Sequence, residues 1–224
     1  MIKAVLMDLD NTLLDFNESA RESIRIAFNN HGLPFDRNSF NVFKTINDGL
    51  WLKIERGDLD RVGLHKIRFP LILKELGLEG DGLKIETEFR ENLFDIAIPV
   101  ENAQESLEYL SSKYTVYLAS NAIYNQQVNR LTKSGLIGYV KDLFISEKIG
   151  FNKPTKQFFD QCFLNMNGVL PSQTVMIGDS ITADIKGGYE YGLVTVWYNH
   201  DKNQTQSPYA HYKIDNLLDV KKFL

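Results

Sequence analysis

Apolar positions open the chain. Ile2 to Met7 is apolar except for Lys3, and the run stops at Asp8-Leu9-Asp10-Asn11-Thr12. A short apolar run closing on turn-forming residues predicts a parallel strand buried on both faces. The pattern then changes period. From about Asn17 to Phe94 apolar residues recur at three- and four-residue spacing, as in Ala20-Ile24-Ala27-Phe28, Phe40-Phe43-Ile46-Leu50 and Ile67-Leu71-Leu73-Leu76. That spacing predicts amphipathic helices. Gly32, Gly57, Gly77 and Gly80-Asp81-Gly82 mark helix ends and turns, and Pro70 should kink or split the third helix.

After Pro99 short β-rich runs alternate with helical segments: Tyr114 to Ala119, Leu143 to Ser146, Thr174 to Ile177, Val194 to Trp197 and, more weakly, His211 to Ile214. Strands separated by single helices predict βαβ units and a parallel sheet. The chain therefore reads as a discontinuous α/β domain, residues 1–15 and 97–224, with an all-helical insert at 16–96. The polar stretch Asp201 to Ser207 reads as a surface loop.

Composition narrows the function classes. At 224 residues and 43% hydrophobic, the chain can fill a substantial core. A net charge of −4, with charged residues at 24%, argues against a nucleic acid polymer as partner. The apolar runs are too short to span a membrane. The first strand begins with no basic or apolar leader ahead of it, which leads to the expectation of a cytoplasmic protein. The single cysteine, Cys162, excludes an intrachain disulfide, and its place in Phe158-Phe159-Cys162-Phe163 predicts a buried core thiol.

Chemistry gathers where the strands end. In open α/β sheets, sites form just past the carboxyl ends of the strands. The first strand delivers Asp8 and Asp10, two acids that would repel unless a cation or a shared proton compensates them. The second ends on Ser120-Asn121, the third leads to Gly150-Phe151-Asn152-Lys153-Pro154, and the fourth ends on Gly178-Asp179-Ser180 with Asp184 beyond. Converging carboxylates suit a hard divalent cation such as Mg²⁺. A hydroxyl beside a helix N-terminus suits phosphate oxygens, and a lysine suits the charge of a phosphoryl-transfer transition state. Each motif alone has a plainer reading. Ser120-Asn121 could be a turn, Lys153 a solvated charge, and Asp184 a helix-terminus acid. Their order and strand-end positions make the case together.

With those four motifs in place, the chain resembles a haloacid dehalogenase (HAD) superfamily phosphatase of the helical-cap subgroup, across its whole length. The Asp-x-Asp-Asn-Thr form, Gly-Phe-x-Lys-Pro around Lys153, and Trp197-Tyr198-Asn199 resemble the pyrimidine 5′-nucleotidase branch. One departure is Ser120, where threonine is common. The resemblance implies a Rossmann-like parallel-sheet core with an inserted helical cap. It implies Asp8 as nucleophile forming an aspartyl-phosphate, Asp10 as general acid and base, and Ser120 with the Asn121 amide as phosphate binders. Lys153 would bridge Asp8 and a phosphate oxygen. Mg²⁺ would be held by the Asp8 carboxylate, the Asp10 backbone carbonyl and Asp179, with Asp184 acting indirectly or through water.

The cap could close over the strand ends. Phe16, Trp51, Phe69 and Tyr124 could stack on a base, although Trp51 and Phe69 read first as packing residues. Arg68 reads as a surface arginine that could reach substrate, and Trp197 as an anchor of a strand against a helix. His31, His65, His200 and His211 lack ligand spacing. The implied substrate is a small phosphate ester, foremost a nucleoside 5′-monophosphate, acted on by a monomer or weak homodimer. The rivals are a sugar-phosphate phosphatase or phosphomutase, a carbon–halide hydrolase, and a non-catalytic binding module retaining the fold.

Overall fold

A computed structural model describes residues 1–201 and 206–224. Part of the expected loop at Asp201 to Ser207 therefore lies outside the described residues. The chain divides into two compact units, Met1–Asp15 with Ile98–Leu224, and Phe16–Ala97.

The first unit is built on strands β1 (Ala4–Met7), β2 (Thr115–Ser120), β3 (Asp142–Ile145), β4 (Thr174–Gly178), β5 (Val194–Tyr198) and β6 (Tyr212–Ile214). They form one sheet in the order β3-β2-β1-β4-β5-β6, and every neighbouring pair is parallel. This is the α/β, Rossmann-like architecture expected. β1 is buried along its whole length, as a strand covered on both faces must be. It lies between β2 and β4, with Met7 level with Leu118 on one side and Ile177 on the other. The chain winds outward from β1 in both directions, so the carboxyl ends of β1, β2 and β4 meet at the switch point of the sheet.

The second unit holds four helices: α1 (Phe16–Asn30), α2 (Arg37–Arg56), α3 (Arg61–Leu76) and α4 (Gly82–Asp95). Their ends follow the sequence. Asp36, Asp60 and Asp81 cap N-termini through side-chain carboxylates, and Gly57 and Gly77 close C-termini in the left-handed conformation. Phe28, Phe43, Phe69 and Phe89 form the aromatic centre, with the Phe69 and Phe89 rings 5.2 Å apart. Phe69 and Trp51 are thus packing residues of this unit.

Two expectations for the insert need correction. Pro70 does not split α3, which runs unbroken through it. Gly82 opens α4 against the Pro70 ring, where a side chain would overlap it. Arg68 is not a surface residue. It is buried, with its guanidinium donating to both Glu86 carboxylate oxygens (3.0 and 2.7 Å) and to Asn47 Oδ1 (2.9 Å), and its charge lies 4.7 Å over the Phe89 ring. A buried guanidinium is tolerable only when its charge and donors are met in this way.

The first unit continues with α5 (Ala103–Lys113) before β2, α6 (Tyr124–Lys133) after it, α7 (Ser146–Ile149) and α8 (Lys156–Leu164) after β3, and α9 (Gly187–Tyr191) before β5. Cys162 is fully buried on α8, and burial pushes its thiol above the usual range, so it is an inert core group. Among the described residues, no helix is long and apolar enough to cross a membrane.

Candidate active site

Three strand ends and the segment after α7 bring their polar residues to one place. The Asp8 backbone N–H still donates to the Ile177 carbonyl of β4 (2.9 Å), so the position after β1 is fixed by sheet pairing. The Asp8 side chain is then presented just past the strand. Lys153, only 2% exposed, reaches it from the segment after α7, with Nζ 2.7 Å from Asp8 Oδ1. Nζ also donates to Asp184 Oδ1 (2.6 Å) and to the Ala119 carbonyl (2.5 Å). An ammonium has three donors, and all three are directed at protein oxygens. Lys153 therefore meets Asp8 as expected but has no N–H left for a phosphate oxygen in this arrangement.

Lys153 is held from behind by Asn121. The Asn121 carboxamide donates to the Lys153 carbonyl (2.9 Å) and accepts from the Lys153 N–H (2.8 Å). Its side-chain amide thus joins the end of β2 to the lysine segment. Ser120 ends β2 buried, with its hydroxyl accepting from Gln127 Nε2 at 3.0 Å.

Asp184 lies on a single π-helical turn, Ile181–Lys186, between β4 and α9, a rare element that is frequent at functional sites. Its Oδ2 accepts from the Ser180 N–H at 3.1 Å. A side chain on Gly178 would overlap the Asp184 carboxylate, so glycine here is what lets that acid fold back onto the strand end. Asp8, Asp179 and Asp184 each offer an oxygen within 4.8 Å of the others. Asp184, expected to act indirectly or through water, thus lies beside the other two carboxylates. The Trp197 indole N–H donates to the Asp179 carbonyl (3.1 Å), so Trp197 braces the loop after β4.

The electrostatics of the cluster ask for a cation. Burial pushes the Asp8 carboxyl up to about 7, with Asp184 and Asp10 adding to the rise and Lys153 opposing it. Asp179 is held well above the ordinary range by burial and by repulsion from Asp8 and Asp184. Burial alone would weaken the Lys153 ammonium, but Asp184 and Asp8 overcome it and raise its pKa. Three acids, two of them buried and Asp179 partly so, against one ammonium leave excess negative charge. An all-oxygen donor set of this kind fits Mg²⁺, which prefers carboxylates and water, and the cluster forms a candidate Mg²⁺ site.

Asp10 faces two residues that the motif reading missed. Gln127 Nε2 donates to Asp10 Oδ2 (2.7 Å), and Arg130 Nη1 donates to Asp10 Oδ1 (2.5 Å) and to Gln127 Oε1 (3.2 Å). Both are fully buried on α6. Their three-residue spacing on the helix following Ser120-Asn121 was the available signal. The expected stacking residue Tyr124 begins the same helix, with the Lys148 ammonium 3.2 Å from its ring centre.

A parallel sheet whose switch point collects acids, a buried lysine and a hydroxyl defines a hydrolase of the phosphoryl-transfer kind. Residues 2–192 match the haloacid dehalogenase-like hydrolase family, and the chain belongs to that family. It is 36% identical over 223 residues to YfnB of Bacillus subtilis (strain 168), a protein assigned to the HAD-hydrolases, covering 99% of this chain and 95% of the relative. It is 32% identical over 222 residues to the pyrimidine 5′-nucleotidase PynA of Streptococcus pneumoniae (strain ATCC BAA-255 / R6), covering 97% and 94%. The crystal structure of YfnB bound to magnesium superposes with a TM-score of 0.92 at 34% identity, covering 99% of this chain and 97% of that one. The catalytic machinery of a Mg²⁺-dependent HAD-type phosphatase, an aspartate nucleophile at a metal site, is present.

Proposed function

We propose that this protein hydrolyses nucleoside 5′-monophosphates, pyrimidine nucleotides foremost, through a phosphorylated Asp8. The observation carrying the reading is the Lys153 ammonium 2.7 Å from Asp8 Oδ1 within the three-carboxylate cluster. Lys153 keeps one Asp8 oxygen partnered and lowers the repulsion between two anions that must meet. Asp8 attacks phosphorus, and the P–O bond to the nucleoside breaks as the Asp8–phosphorus bond forms. Asp10 gives its proton to the departing oxygen. In the second step Asp10 takes a proton from water as that water attacks phosphorus and frees Asp8. Ser120 supplies a hydroxyl for the phosphate oxygens. The Asp8 and Asp179 carboxylates, the Asp10 backbone carbonyl and the adjacent Asp184 would hold Mg²⁺, which supplies charge neutralisation at the phosphoryl oxygens.

Two observations support the nucleotide refinement: the sequence similarity to PynA over nearly the whole chain, and the Trp197-Tyr198-Asn199 segment at the end of β5. The test is a phosphate-release screen of purified protein over pyrimidine and purine nucleoside 5′-monophosphates and sugar phosphates, with and without Mg²⁺. The expected result is Mg²⁺-dependent release, greatest for the pyrimidine nucleotides. A preference for sugar phosphates overturns the nucleotide assignment alone. An Asp8→Asn variant with undiminished turnover overturns the nucleophile.

A further inference from the structure

We propose that Gln127 and Arg130 are positioning residues that aim the Asp10 carboxylate at the leaving-group oxygen; this rests on the reading of Asp10 as the general acid. Both Asp10 oxygens are gripped from one helix, Oδ1 by Arg130 and Oδ2 by Gln127, and the Gln127 carbonyl in turn accepts from Arg130. Two donors on the two oxygens of one carboxylate fix its plane as well as its place. Asp10 keeps 30% of its side chain exposed, whereas Arg130 has none. The grip is therefore buried and the acid it holds is open on its other side.

Packing alone is a weak reason for such a residue. Desolvating a guanidinium is costly, and an apolar side chain of similar volume would often stabilise a core equally well. Gln127 adds a second link. The same Nε2 that holds Asp10 donates to the Ser120 hydroxyl (3.0 Å), so one amide spaces the acid from the hydroxyl at the end of β2. A phosphate held at Ser120 and a proton delivered from Asp10 would then be set a fixed distance apart by α6. Reacting groups need this registry, since a displacement of about 1 Å can cost on the order of 100-fold in rate.

The experiment compares kcat/KM for a nucleoside 5′-monophosphate, whose alkoxide leaves poorly, with that for p-nitrophenyl phosphate, whose phenolate leaves well. This parameter reports the steps up to departure of the leaving group. Arg130→Met and Gln127→Leu are each expected to lower the nucleotide value about 10- to 100-fold while changing the aryl value far less. Arg130→Lys should recover part of the loss. Equal losses on both esters, or none on either, overturn the proposal. Asp10→Asn separates the two levels. If it does not discriminate between the esters, the acid assignment itself fails. If Asp10→Asn discriminates while Arg130→Met and Gln127→Leu do not, only the positioning role fails. Should Arg130→Met not fold, Gln127→Leu removes a neutral donor alone and decides the matter.

Discussion

The Lys153 ammonium lies as close to Asp184 (2.6 Å) as to Asp8 (2.7 Å), so one lysine ties the carboxylate at the end of β1 to the one on the π-helical turn. It is a cation set among acids, and it is almost wholly buried. Lys153→Met should therefore act on both stability and rate. The metal-free variant is expected to lose about 3–5 kcal/mol, the cost of leaving buried charge uncompensated, with partial recovery in Mg²⁺. Turnover should fall at least about 100-fold. Urea denaturation with and without Mg²⁺, alongside steady-state kinetics, checks both parts.

The acids make a pH signature. Asp8 titrates at about 7 in the folded chain against 3.8 ordinarily, and Asp179 is displaced in the same direction. Between those values the folded chain binds more protons than the unfolded one, so its stability falls as pH rises. Metal-free protein should lose thermal stability as pH climbs from about 4 to about 7 through these groups, and Mg²⁺ should raise Tm more at about pH 8 than at about pH 5. Thermal melts across pH, with EDTA or with Mg²⁺, test this. An equal Mg²⁺ effect at both pH values would contradict it.

Gly178 and Asp184 form a steric pair. A methyl group at Gly178 would overlap the Asp184 carboxylate, and that carboxylate cannot move without leaving Lys153 and the Ser180 N–H. Gly178→Ala is expected to lower kcat at least about 10-fold and to weaken the response to Mg²⁺, with an overpacking cost of about 1–3 kcal/mol. A Mg²⁺ titration of activity measures it. An unchanged titration would show that Asp184 is dispensable to the site.

The buried ion pair of the helical unit allows a test apart from the chemistry. Arg68→Ala strands Glu86 and is expected to cost about 3–5 kcal/mol, whereas the double variant Arg68→Met, Glu86→Leu should lose far less, because both charges leave together. Chemical denaturation of the single and double variants distinguishes these outcomes.

Local pattern determined much of this protein. Apolar runs of strand length against three- and four-residue spacing separated sheet from helices, because the two structures bury side chains at different periods. The motif order placed Asp8, Ser120 and Asp179 at strand ends and Lys153 in the stretch following the third strand, because a parallel sheet gathers its chemistry there. Pairing across the chain stayed hidden. Arg68 looks like any charge on a helix until Glu86 and Asn47, far along the chain, are brought against it. Arg130 looks equally ordinary until α6 packs it behind Asp10, and the engagement of all three Lys153 protons follows only once Ala119, Asp8 and Asp184 converge. Periodicity records which face of an element is buried. Which buried charge meets which is decided by contacts between distant segments, and only the tertiary structure holds those.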